Sequence, residues 1–238
     1  DEPITIERRQ RQMYHFCLRT LKDEYDWLAF IDTDEYVDFE DGWDLQRLLN
    51  EHDEYSGVML SWMLYGANNR IERPESGVIE SYSKPDLTTD YFNVWWGAQW
   101  SVKCFANLKH NPTVKHIHWI DGAVNMLGEV DKPKLKVFKK AWIRHYYTKS
   151  WEEWMWRIME RGDLCNGNRK LAQFFNANPD MLPMKEKLIR SVAHRIPHGN
   201  KNYILDSKNM IIAGGNVAKI MEMNQQLKQG VNYENSNT

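Results

Sequence analysis

The stretch Trp27-Leu28-Ala29-Phe30-Ile31-Asp32-Thr33-Asp34-Glu35-Tyr36-Val37 sets a run of apolar residues directly against a cluster of acids. A continuous run of that length, rich in aromatic and branched side chains, predicts a buried strand in a parallel or mixed sheet. Side chains two apart on a strand share a face, so Asp32 and Asp34 are expected to point at one place. Ligands of α/β sheets collect beyond the carboxyl ends of the strands. Two carboxylates held there repel unless a cation lies between them, and hard oxygen donors select magnesium or manganese. Such an ion bridges to substrate phosphates and stabilises a departing diphosphate. The competing reading is a solvated acidic turn, since Asp is common in turns. The apolar strand before the acids, and Glu35 immediately after, favour the metal site.

Outward from this stretch, helical spacing of Met13, Phe16, Cys17 and Leu21 predicts a helix over 7–22. Downstream, Leu45, Leu48 and Leu49 mark a short helix and Gly57 to Leu64 a second buried strand. Val78 to Tyr82 and Ser101 to Phe105 read as half-exposed strands. Thr113 to Trp119 alternates, which puts His116 and His118 on one side. Asp121-Gly122 and Leu127-Gly128 read as turns. A further strand runs into Arg144-His145-Tyr146-Tyr147. Ser150 and Glu153 then form a capping box, whose side chains satisfy unpaired amides of a first helical turn. It opens a helix over 151–161 with Trp151, Trp154, Met155, Ile158 and Met159 on one stripe. Two more helices are expected over 184–195 and 216–228. The reading is therefore one α/β domain over 1–238, with a helical carboxyl-terminal part from 151 to 238.

His145 closes an apolar strand and Lys149 lies just before a helix amino terminus. A helix start with a lysine is a ready diphosphate cradle, and a neutral imidazole can complete the coordination of the same metal. The plain alternative is a core histidine and a solvated lysine.

Composition bounds the function. The chain has 238 residues, 42% hydrophobic and 27% charged, with a net charge of −2. That is enough for a real core and gives no basic field for a nucleic-acid backbone. Three scattered cysteines, Cys17, Cys104 and Cys165, form neither a zinc spacing nor a disulfide framework. They suit a reducing, cytoplasmic setting. Lys134, Lys136, Lys139 and Lys140 form a basic patch. It reads as a solvated face, as a peripheral contact with an anionic inner membrane surface, or as a contact with a charged acceptor. Trp95 and Trp96, in a Tyr-Phe-Asn-Val-Trp-Trp-Gly run, read equally as core or as apolar platforms for sugar rings.

WLAFIDTDEYV resembles the strand and Asp-x-Asp signature of the bacterial family 2 glycosyltransferases and the related family 92 enzymes. RHYYTKSWEEWMWRIMERGD is similar to a His-Tyr, Lys-Ser, Glu-Glu-aromatic, Arg-Gly block of the same group. FFNANPDM resembles a carboxyl-terminal element of some members. The resemblance implies a GT-A fold, a Rossmann-like mixed sheet flanked by helices. It also implies Mn2+ or Mg2+, a nucleotide-diphosphate sugar donor and a glycan or glycoconjugate acceptor. Asp32 and Asp34 would bind metal and donor, Glu35 would lie with them, His145 would be the third metal ligand and Lys149 would touch the diphosphate. His118, in VKHIHW, matches a family histidine. AVNMLGE resembles a family loop, although Met126 stands where an acid is often found. Only 31 residues precede Asp32, whereas two strand-helix units need roughly 60. The resemblance therefore implies a chain lacking the amino-terminal nucleotide-binding part.

The chemistry expected is inverting transfer of a sugar to a hydroxyl. A general base must reach that hydroxyl; Asp121 and His118 are the candidates carried forward. Glu129 is a weaker one, and Glu153 is better explained as a cap. Asp121 also reads as a plain Asp-Gly turn. Two rival readings stand beside the transferase. A phosphohydrolase of the haloacid dehalogenase type would use the first Asp as nucleophile, but Tyr36 stands where that class has Thr or Val. A sugar-binding remnant would keep the fold without turnover.

Overall fold

The structure, a computed structural model, describes residues 6–85, 101–133, 137–159, 174–175, 177–193, 203–205 and 211–213. Trp95, Trp96, Lys134, Lys136 and the helix expected over 216–228 lie outside them. The chain divides into two compact units, one of residues 1–66 and 78–147, the other of 67–77 and 148–238. Among the described residues, no helix is long and apolar enough to cross a membrane.

The first unit is built on strand β3 (Gly57–Leu64), which is buried along nearly its whole length. Its residues 57–61 pair antiparallel with β4 (Val102–Asn107). On its other side, β7 (Ala123–Asn125) pairs parallel with the first half and β8 (Ala141–His145) parallel with the second. β1 (Trp27–Ala29) adds antiparallel to β4, and β2 (Glu35–Phe39) antiparallel to β8. The order is β1-β4-β3-β8-β2, a mixed sheet. A separate hairpin joins β5 (Val114–His116) to β6 (Trp119–Ile120). Gly57 is required where it stands, because a Cβ there would lie 2.7 Å from the carbonyl oxygen of Phe105 on the paired strand.

The sheet is curled. In a flat sheet β4 and β2 lie three strand spacings apart, about 14 Å. Yet Lys103 on β4 places its Nζ 3.5 Å from Oε2 of Glu35 on β2. The five residues from Phe30 to Asp34 link the two edges, β1 and β2, through a tight turn in which the Glu35 amide donates to the Asp32 carbonyl at 3.0 Å. Helix α1 (Ile6–Thr20) covers the sheet through Leu18, which joins Met59, Val102, Cys104, Ala106, Val114 and Ile120 in one apolar core. Tyr14 stacks on Phe30 with ring centroids 3.7 Å apart.

Three local expectations are corrected. Trp27–Ile31 was expected to be buried in the sheet; among the described residues β1 is an edge strand, partly exposed, whose sole strand neighbour is antiparallel. Val78–Ser81 is a helical turn, α3, in place of a strand. Val78 and Tyr82 fit a spacing of four as well as alternation, and the Tyr82 amide donates to the Val78 carbonyl at 3.1 Å. The strand at β4 is buried throughout instead of half exposed, with its charged residue, Lys103, neutralised from within. Elsewhere the short helix α2 (Leu45–Glu51) is present, with Asp44 capping the Arg47 amide at 2.7 Å.

In the second unit, helix α4 (Trp151–Met159) starts at the expected capping box. The Glu153 amide donates to Ser150 Oγ at 3.2 Å, and Ser150 Oγ donates to the Glu153 carboxylate at 2.9 Å. Trp151 and Trp154 are buried and pack with Phe174 and Phe175. Asn178 knits this core: it accepts from the Ala67 amide and donates to the Phe174 carbonyl at 2.8 Å and to Thr148 Oγ1 at 3.2 Å. A second helix, α5 (Lys185–Ala193), follows a 3-10 turn over Pro179–Met184. The region is not wholly helical: β9 (Tyr203–Leu205) pairs with β10 (Ile211–Ala213).

Candidate functional site

The curl brings the acidic turn, β4 and β8 together. Asp32 and Asp34 do not converge on one point. Asp32, whose side chain is 46% exposed, holds Lys103 Nζ at 2.9 Å through Oδ2. Asp34, whose side chain is 14% exposed, places Oδ1 4.0 Å from His145 Nε2. The β2–β8 register sets Glu35 opposite His145, and the Tyr146 amide donates to the Asp34 carbonyl at 2.9 Å, fixing the turn against the end of β8.

Glu35, expected to meet a donor, turns inward. Its side chain is fully buried, and Oε2 accepts the Asp32 amide at 3.0 Å. Its Oε1 has no hydrogen-bond partner among the described residues. Lys103 is the residue that sequence reasoning missed. It is 1% exposed. Burial works against its charge, and the carboxylates of Glu35 and Asp32 more than offset this, so the ammonium titrates above its usual range. Burial pushes the Glu35 carboxyl up to about 7, against the pull of Lys103 and with the repulsion of Asp32. The single ammonium is thus matched by the Asp32 carboxylate, and Glu35 is the group that keeps its proton towards neutral pH.

This has a measurable consequence. Between the ordinary Glu value, 4.5, and about 7, the unfolded chain has released the Glu35 proton while the folded chain retains it. Stability therefore falls as pH rises through that window and levels off above it. The contribution is about 3 kcal/mol for a shift of that size. Urea denaturation from pH 4.5 to 8 is expected to show wild type losing stability relative to Glu35→Gln across this range. Parallel curves for the two proteins would remove Glu35 from the titrating role.

The imidazoles gather next to this network. The Trp62 ring lies 4.3 Å from that of His145 and 4.9 Å from that of His118, and His116 lies 5.1 Å from His118, centroid to centroid. Burial first, then the Lys103 ammonium and the neighbouring His116 and His145 rings, drive His118 down to about 2. His118 is thus a neutral ring, suited to hydrogen bonding and not to gathering a proton at neutral pH. Asp121 is engaged elsewhere, 3.3 Å from Lys115 Nζ, with its carbonyl accepting from Ser56 Oγ at 2.6 Å. Burial raises the Cys104 thiol to about 12, so it carries no nucleophile. Lys149 belongs to the second unit, directly before the α4 cap, with φ of +54°, a left-handed conformation that non-glycine residues rarely hold.

Among the described residues no group of three or more His, Cys, Asp or Glu is gathered closely enough to hold a metal by itself. Asp34 Oδ1 and His145 Nε2, 4.0 Å apart, are wider than the roughly 3 Å that separates adjacent donors on an ion about 2.1 Å from each. Magnesium and manganese sites of this kind take one or two protein donors and complete the shell with water and phosphate oxygens. Compared with known proteins, the sequence matches no family model and no curated protein.

Proposed function

We propose that this chain belongs to a metal-dependent glycosyltransferase of GT-A type, which moves a sugar from a nucleotide-diphosphate donor to a glycan hydroxyl with inversion. The observation that carries the reading is the placement of Asp34 against His145 at the end of the acidic turn, 4.0 Å apart. These two would hold the divalent ion, which supplies charge stabilisation to the departing diphosphate. Asp32 keeps a half-exposed carboxylate at the mouth of the same turn, where it can accept from a donor hydroxyl. Asp121, half-exposed in its pair with Lys115, would serve as the acceptor's base only on leaving that pair. His118, kept neutral by burial, fits orientation of a hydroxyl better than removal of its proton.

Titration calorimetry with manganese and uridine or guanosine diphosphate tests the reading. Diphosphate binding is expected to require manganese, and Asp34→Asn or His145→Ala is expected to weaken it by at least about tenfold with the fold intact by circular dichroism. Binding indifferent to manganese, or to both substitutions, would end the case. One observation favours a second reading: an exposed Asp32 with a buried lysine against it also suits a haloacid dehalogenase-type phosphohydrolase. Phosphate release from para-nitrophenyl phosphate through a trapped aspartyl intermediate would select that reading.

A further inference from the structure

We propose that the outward face of helix α1 is a docking surface for an anionic lipid bilayer, with Met13 and Phe16 entering the headgroup region and Arg9 and Arg19 meeting lipid phosphates towards either end. This goes beyond the reading of the acidic turn and does not depend on it. The helix spends its other face on the sheet, where Leu18 lies in the core and Tyr14 packs against it. The residues turned away from that core are not those of a plain solvated face. Met13 is 58% exposed and Phe16 54%, and side chains three positions apart are neighbours on a helix surface. Arg9 stands four residues before Met13 and Arg19 three after Phe16, so the four share one side. Arg9, Arg11 and Arg19 are exposed, and among the described residues none of them has an ion-pair partner. Over its 15 residues α1 holds four arginines against one acid, Glu7. The acids that follow, Asp23, Glu24 and Asp26, lie past its carboxyl end. Exposed apolar side chains flanked by unpaired arginines are the pattern of a helix lying in a membrane interface, where each basic group near an anionic surface adds to binding. A flat surface suits α1 as well: with its inner face packed on the sheet, the helix cannot be enclosed in a partner's groove. A second copy of the chain suits it less, since a two-fold contact through this face would set arginines against arginines.

Flotation of the full chain with vesicles of three parts phosphatidylglycerol to seven parts phosphatidylcholine, in about 50 mM salt, tests this. The chain is expected to float with these vesicles, to stay behind with phosphatidylcholine alone, and to be released by about 0.5 M sodium chloride. Met13→Ser/Phe16→Ser should weaken binding about tenfold, and Arg9→Gln/Arg19→Gln about thirtyfold. Both pairs are exposed, so thermal unfolding of the variants should stay close to that of wild type. Arg47→Gln/Lys187→Gln, which removes two exposed cations elsewhere, should change binding by less than about threefold. Wild type that fails to float on the anionic vesicles, or that floats equally on phosphatidylcholine alone, overturns the proposal. So does binding that neither α1 variant weakens. A dimer that forms at rising concentration in sedimentation velocity, and that Met13→Ser/Phe16→Ser disperses, would give this face to a second copy and overturn it too.

Discussion

Lys103→Met is expected to cost about 4 kcal/mol of stability at pH 8, in the range for breaking a buried ion pair by removing one partner. At that pH the Glu35 carboxyl, which titrates at about 7, is ionised. It is fully enclosed and, among the described residues, Lys103 is the cation paired with it, so the substitution leaves a buried charge unmatched. Asp32 suffers less, because its half-exposed carboxylate can be hydrated. Two comparisons identify the cause. The cost should shrink by at least half at pH 5.5, where Glu35 carries its proton. Lys103→Met/Glu35→Gln should recover most of the loss at pH 8, since replacing both members of a buried pair by neutral groups of similar shape is close to neutral. Chemical denaturation of the four proteins of this cycle gives the coupling directly. A loss that is independent of pH, and additive with Glu35→Gln, would mean that Lys103 matters for packing alone.

Asn178→Ala should destabilise the second unit by a similar amount, about 4 kcal/mol, by leaving unmade hydrogen bonds at buried groups worth 1–3 kcal/mol each. The side chain is 6% exposed and serves three partners from separate parts of the chain: the Ala67 amide, the Phe174 carbonyl and the Thr148 hydroxyl. The Ala67 amide and Phe174 carbonyl belong to buried residues, so water does not readily replace the lost amide. Thr148→Val, which removes only the hydroxyl partner, should cost about 1 kcal/mol. Denaturation followed by tryptophan fluorescence, which reports on Trp151 and Trp154 beside Phe174, separates the two. Equal losses for both variants would show that Asn178 is not the hub of this network.

Much of the backbone was legible because its signals are local. Gly57–Leu64 reads as a buried strand and is one to the residue. The Ser150–Glu153 box fixes the start of α4, and the turns at Gly122 and Gly128 show positive φ, +71° and +82°. What the sequence hid is pairing over distance. A lysine between Val102 and Cys104 reads as the solvent side of an alternating strand, and only the curl of the sheet explains why it is enclosed. Its partner Asp32 lies 71 residues upstream, beyond the reach of any periodicity argument. The Asp-x-Asp spacing suggested a shared target, whereas Asp32 and Asp34 answer to different neighbours. Val78–Ser81 failed for a simpler reason, because so short a segment fits two periods equally well.

The link between the sheet's two edges bears on the order in which this molecule is made. Residues 30–34 leave the synthesis machinery early, yet everything that gives them chemical character arrives late: Lys103 on β4 and His145 on β8. Contacts of such long separation slow folding, because loop closure must precede the reward. A nascent or partly opened chain therefore exposes bare acids with no ammonium or imidazole beside them. On mild denaturation, the ion pairs of Lys103 should open ahead of the loss of helix content.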